Sequence, residues 1–308
     1  MLVEAGDNCP MVLSETRKGE WYVTSAALLG GFFPIVVVFT YASVSSLISL
    51  AWSTLFAAGL FAILLTYRAR WVELRDPAVW KYGFFSALFI GVLFYVFYFM
   101  GLEHTTPGNA SIIVLLQILT SFLFFNMYRK EYFSREYKLG AILMVVGAVI
   151  ILAPNFGGIN IGDFFILGSA LFAPIGNFFQ QEGRKIASSE TIMFLRSALS
   201  AAALFLVIYL WSIPAEAADI RAVLPFLILN GIVLLGFEKV LWIEGIHRIS
   251  VTKATALVSM TPFITLLFAW LLLHQAPTLW QLLSLAPFVL GTLLLTDQVH
   301  FRRTIRIQ

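Results

Sequence analysis

Long apolar windows separated by short charged segments dominate the chain. They run from Trp21 to Tyr41, Val44 to Thr66, Trp80 to Gly101, Asn109 to Tyr128 and Leu139 to Leu152. A second set runs from Asp163 to Phe179, Thr191 to Ile213, Val223 to Ile246, Thr252 to Leu273 and Thr278 to Thr296. Most come close to the roughly 20 residues that a helix needs to cross a hydrocarbon core of about 30 Å. Strands of a membrane barrel are shorter and alternate polar with apolar, whereas Leu139 to Leu152 is continuously apolar. The pattern predicts an all-α integral membrane protein with ten transmembrane helices, five plus five.

Composition sharpens this. Of 308 residues 60% are hydrophobic and 12% charged, with a mean hydropathy of +0.88. That charged fraction is about half of a soluble domain's, which excludes a water-soluble fold. What remains outside the spans is tails and short loops, too scattered for a soluble catalytic domain. The single cysteine, Cys9, allows no internal disulfide. A pI near 9.0 does not argue for nucleic acid, because the basic residues flank the spans and set orientation instead.

With the N-terminus inside, 17 of the 20 Lys and Arg residues fall on one side and only Arg221 on the other, leaving Arg196 and Lys239 within spans. The positive-inside rule therefore predicts both termini in the cytoplasm and a multi-pass protein of the inner or plasma membrane. Thr40, Tyr41 and Ala42 weakly resemble a signal cleavage site. Removal of the first span would leave nine and break the repeat described next, so the span is expected to stay.

A shift of 144 residues aligns Ser53 to Phe61 with Ser197 to Phe205, six of nine positions being identical. The same shift sets Gly101 on Gly245, Ala110 on Ala254, Val114 on Val258, Leu123 on Leu267 and Gly147 on Gly291. One constant offset across four helices signals duplication. A repeat with an odd number of spans places its second copy upside down, and inverted repeats are how alternating-access carriers build two related gates around one site. The predicted units are a tail over 1–20, a first five-helix repeat over 21–153, an inverted second repeat over 163–296, and a tail over 297–308.

Gly101-Leu102-Glu103-His104-Thr105-Thr106, followed by Ala110-Ser111-Ile112-Ile113 and by Glu131 before Gly140, resembles the middle of an EamA-like repeat of the drug/metabolite transporter superfamily. Ala254-Thr255-Ala256-Leu257 and Thr261-Pro262-Phe263 are similar in the second half. The resemblance covers residues 21–296 and implies ten helices, cytoplasmic termini and movement of small organic molecules, often outward, through a cavity between the repeats. The sequence departs from the pattern at Ile118, where the fourth helix usually has Pro, at Gln275, which replaces the second Glu, and at Trp52, which replaces the Arg common in the second helix.

Ionisable residues inside spans face a cavity or a partner, because exposure to lipid is costly. Arg196 and Glu238 fall at similar depth on consecutive helices, so they either form a structural ion pair or leave Glu238 to titrate or contact a cation. Lys239 should point about 100° away from Glu238, toward a substrate carboxylate or the headgroups. Glu244 is expected at headgroup level beside His247 and Arg248. The repeat partners of Arg196, Glu238, Lys239 and Trp242 are Trp52, Phe94, Tyr95 and Tyr98, giving one aromatic and one charged half suited to a zwitterionic or cationic amphipath. Ala87 and Gly91 mark close packing of the third helix, and Tyr95 is open to either packing or binding. Gln117 and Asn177 divide between interhelical hydrogen bonding and the site, while Pro34, Pro174 and Pro262 bend helices or free carbonyls.

No HExxH, G-x-S-x-G or Walker sequence is present, so neither cofactor nor catalytic metal is implied. The expected function is a secondary transporter exporting a small amphipathic metabolite, an amino acid or related compound. An uptake permease of the same fold is the nearest alternative and an intramembrane enzyme a more distant one. The expected partners are the small-molecule substrate, the bilayer and a proton as coupling ion, with the chain acting as monomer or homodimer.

Overall fold

The computed structural model describes residues 15–129, 135–154, 160–214, 216–249, 254 and 257–295. Cys9, Glu131, Thr255, Ala256 and the outer parts of both tails lie outside these residues. Among the described residues every regular element is helical. We label them α1 (Glu15–Thr40), α2 (Ser46–Tyr67), α3 (Pro77–His104), α4 (Pro107–Ile113 and Leu116–Arg129) and α5 (Arg135–Leu152). The second set is α6 (Ile161–Gly183), α7 (Ser189–Leu210), α8 (Ala217–Ile228, Leu229–Phe237 and Glu238–Arg248), α9 (Thr261–Leu273) and α10 (Leu279–Leu295).

Seven of these, α1 to α4 and α6 to α8, are long and apolar enough to cross a membrane, while α5, α9 and α10 are shorter apolar helices. Their starts follow from local chemistry. Asp76 caps α3 by accepting from the Ala78 N–H, with Pro77 filling the first turn where no donor is needed. Thr106 and Pro107 do the same for α4, and Ser188 caps α7. Left-handed residues close α2 at Ala69 and α7 at Ser212, nearly one repeat length apart.

The packing follows the same repeat. Helix α2 lies along α7 and α5 along α10; α1 packs on α8 and α9, as α3 and α4 pack on α6. Exchanging each helix for the one five places away leaves those pairings unchanged. Irregularities recur in step as well. The middle of α3 is π-helical over Ala87–Phe94 and that of α8 over Leu229–Phe237. Helix α4 is interrupted at Val114 and Leu115, and a turn at Ser259 and Met260 leads into α9. At both interruptions hydrogen bonds tighten to three residues, Leu115 N–H to Ile112 O and Met260 N–H to Leu257 O. Pro262 explains the second break; the first occurs with Ile118 in the corresponding place.

Glycines set the closest crossings. A Cβ on Gly291 would stand 2.8 Å from the Gly140 carbonyl, and one on Gly140 would stand 2.9 Å from the Gly291 carbonyl. Backbones therefore touch where α5 meets α10, an economical way to join short helices in lipid. Gly291→Leu is expected to force this crossing apart and cost about 1–3 kcal/mol, read as a lowered unfolding temperature in detergent. Gly59→Leu, at a site with nothing within 4 Å, should leave that temperature nearly unchanged.

Candidate functional site

A small pocket lies where α2, α3, α7 and α8 converge, lined by Thr54, Ala57, Gly91, Tyr95, Arg196, Ser197, Ser200 and Leu235. In its present form it has room for about one water molecule. Gly91 and Leu235 are exact repeat partners under the 144-residue shift, so the pocket sits where the two halves face each other. The missing side chain at Gly91 lets α3 approach α7, whose Ser200 hydroxyl fills the gap and donates to the Arg196 carbonyl at 2.6 Å and the Ala87 carbonyl at 3.3 Å.

Arg196, Glu238, Lys239 and Tyr95 lie close enough to interact electrostatically. Arg196 is only 4% exposed and Glu238 6%. They do not form an ion pair with each other. Glu238 Oε2 instead meets Lys239 Nζ at 2.6 Å, off the axis of a well-formed hydrogen bond. The expectation that Lys239 points away from Glu238 is thus corrected. The Cα–Cβ bonds diverge, but the lysine's four-carbon stem folds back to the nearest counter-charge, because the buried Glu238 carboxylate gains more from pairing than from standing alone, while Lys239 itself stays partly exposed. Glu238 Oε1 faces α1, 4.0 Å from where a Cβ on Gly30 would stand.

Aromatic rings form one wall beside this group. Phe33 of α1 contacts Tyr95 and Tyr98 with centroids at 6.2 and 5.6 Å, and Phe94 stacks on Tyr98 at 6.0 Å. Tyr98 is buried in the main core. Trp242, one turn beyond Glu238, is half-buried against the Val23, Ile249 and Ala254 cluster. Trp52 lies apart from the pocket, edge-on to Phe205 at 5.6 Å and packed with Ile48 and Val223. Gln117 and Asn177 are half-buried on α4 and α6 and are not among the residues lining this pocket. On α4 it is Thr120 that bonds across to α6, donating to the Ala170 carbonyl at 2.6 Å. Glu244 pairs with Arg248 at 2.6 Å, near the helix end.

Sequence reasoning missed the hydroxyl lining. Ser197 and Ser200 share a face with Arg196 at helical spacing, and that polar stripe within an apolar span was the available signal. It also missed a latch at the chain's basic side. There the 3₁₀ turn Trp71–Arg75 after α2 docks on the start of α7. Glu73 Oε2 accepts from the Ser188 N–H and the Thr191 hydroxyl, each at 2.7 Å, and Arg68 pairs with Glu190. Partial burial pushes the Glu73 carboxyl up, but the hydrogen bonds from Thr191 and Ser188 and the charge of Arg70 outweigh it and hold it below its ordinary 4.5. On the opposite side Thr105 bonds Asp163, and Gln281 Nε2 donates to Asn109 Oδ1 at 2.7 Å.

Apolar helices long enough to cross a bilayer define a multi-pass membrane protein, with a small, partly charged pocket where its two halves meet. The family model for EamA-like transporters matches residues 17–153 and 160–297, and the chain belongs to that family. Three curated relatives, all from Bacillus subtilis strain 168, are described as uncharacterized transporters. YyaM is 23% identical over 72% of this chain and 75% of its own length, and YdfC is 25% identical over 73% and 72%. YoaV is 23% identical over 72% and 77%. A crystal structure of another protein matches with a TM-score of 0.68 over 92% of this chain and 98% of that one; at 18% identity this likeness speaks to fold alone. The family and these relatives indicate a transporter rather than an enzyme.

Because Glu73 ionises below an ordinary carboxyl, its contribution to the latch is complete above about 4.5 and is lost as pH falls through the lower folded value. Protection of the Ser188 amide, with its exchange taken relative to the intrinsic rate at each pH, should therefore fall in acid. Glu73→Gln should raise that exchange about tenfold or more at neutral pH and remove most of its acid dependence.

Proposed function

We propose that the chain is a secondary carrier that exports a small amphipathic metabolite, an amino acid or related compound, by alternating access. The observation that carries this reading is a closed-down polar pocket between repeat-related helices, α2 facing α7 and α3 facing α8. An enzyme site has no need for such pairing, whereas a carrier uses it to open the same chamber first to one face and then to the other. In this reading ten helices cross an inner or plasma membrane as two inverted repeats, 21–153 and 163–296, with both termini cytoplasmic. The in-step irregularities of α3 with α8 and of α4 with α9 support it, since bending elements related by the repeat serve both gates alike.

Arg196, Lys239, Glu238, Tyr95 and Tyr98 contact or frame the solute, while Trp52, Trp242, Gln117 and Asn177 meet it only as the chamber widens. Outward direction follows the family tendency, and a proton serves as coupling ion. One chain encloses its own chamber, so a monomer suffices.

Counterflow in proteoliposomes, with radiolabelled small acids, amino acids and amines, is the direct test. At least one solute should exchange. Tyr95→Ala should slow it by about tenfold, the loss of one good contact in the bound state, whereas Trp280→Ala, on the exposed face of α10, should not. Accumulation in inside-out vesicles under a pH gradient is expected for export; accumulation only in right-side-out vesicles would make the protein an uptake permease. Conversion of a solute without its movement would sink the carrier reading.

A further inference from the structure

The charge inventory of the pocket bears on which solutes it takes. Arg196 lines the wall, is 4% exposed, and its guanidinium has no ion-pair or hydrogen-bond partner among the described residues. The charged side chains acting on it and on Lys239 are Glu238 and each other, together with the Tyr95 hydroxyl. Glu238 is already committed to Lys239 at 2.6 Å. Two cations against one carboxylate leave one positive charge enclosed among apolar helices. An uncompensated buried ion is costly, and a ligand that brings the missing charge recovers that cost.

We propose that Arg196 binds the carboxylate of a monoanionic amphipathic solute whose apolar body lies against Tyr95, Ala57 and Leu235. This rests on the carrier reading above and narrows it. A cationic solute would add to the excess charge. A zwitterion would leave the excess as it stands, and its ammonium would have to compete with Lys239 for Glu238. A phosphate monoester, with close to two charges near neutral pH, would overshoot. One carboxylate brings the sum to zero, and the planar guanidinium matches it with two parallel donors. The Ser197 hydroxyl, buried in the same wall without a partner, supplies a further donor. The pocket must widen before the solute enters, so recognition by Arg196 belongs to an opened form in which α2 and α3 have parted from α7 and α8.

The test uses the full chain in proteoliposomes and matched probes: phenylacetate, phenylethylamine and phenylalanine, with the corresponding indolyl and isobutyl series. The carboxylates should exchange at least about tenfold faster than their amines and amino acids. Arg196→Gln should reduce carboxylate exchange about 10- to 100-fold, and Arg196→Lys should restore part of it, keeping the charge without the fork. Without ligand, Arg196→Gln should unfold at the same or a higher temperature, because it removes a charge that nothing in the empty pocket balances. Amines or amino acids that exchange as fast as the acids would overturn the assignment and leave the carrier standing. So would an Arg196→Gln protein that is less stable yet keeps its preference for acids. Failure of every probe to move in either vesicle orientation would remove the carrier reading, and this inference with it.

Discussion

One unbalanced charge organises the interior. Lys239 and Glu238 pair across adjacent positions of α8, so Arg196 is left to face the pocket without an ion-pair partner among the described residues. Everything nearby keeps it there. Gly91 lets α3 close over the top of the arginine's own backbone, and Ser200 pins that backbone by bonding both the Arg196 and the Ala87 carbonyls. The aromatic group of Phe33, Phe94, Tyr95 and Tyr98 seals the same region from α1 and α3. A buried ion held so firmly has little freedom to reach water by itself, and burying it without a counter-ion makes the closed form less stable than an equally packed apolar one. Such a centre stays poised, because a counter-charge stabilises whichever arrangement admits it.

The backbone supplies the means of rearrangement. A helix in lipid must satisfy its own N–H and C=O groups, so irregular turns persist only where neighbours or polar groups support them. Here they occur in pairs one repeat apart: π-helical middles in α3 and α8, and tightened turns before the second half of α4 and the start of α9. The π-helical segments immediately precede Tyr95 and Glu238. A return to regular α-helical winding would rotate those side chains relative to the pocket.

Much of this was legible in the residues. Continuous apolar stretches such as Leu139 to Leu152 admit no other spanning element than a helix, and one constant shift through four helices announced the duplication before any packing was seen. Arg196, Glu238 and Lys239 stood out because charge is scarce in apolar spans, and Tyr95 because the repeat sets it on Lys239. Their pairing did not stand out. Depth along a helix is readable from rise per residue, but which of two cations takes a carboxylate depends on side-chain reach and on the local solvation of each group. The same limit applies to Trp52, whose repeat relation to Arg196 suggested the site but whose ring is occupied by Phe205 and Val223. Ser197 and Thr54 escaped notice since a lone hydroxyl in a helix usually bonds its own backbone. The latch at Glu73 joins segments 115 positions apart, a distance no local pattern spans.

That latch also distinguishes the two halves. The 144-residue shift carries Glu73 to Ala217 and, in reverse, Ser188 to Val44 and Thr191 to Leu47. Around Val44 the structure holds Ile48, Val223 and Leu227 in an apolar cluster, where the related end of the molecule has ion pairs and a carboxylate-capped helix start. At these repeat-related positions the two ends therefore differ in chemistry. Salt and acid weaken charged contacts at a solvated end, whereas apolar contact responds mainly to temperature and packing.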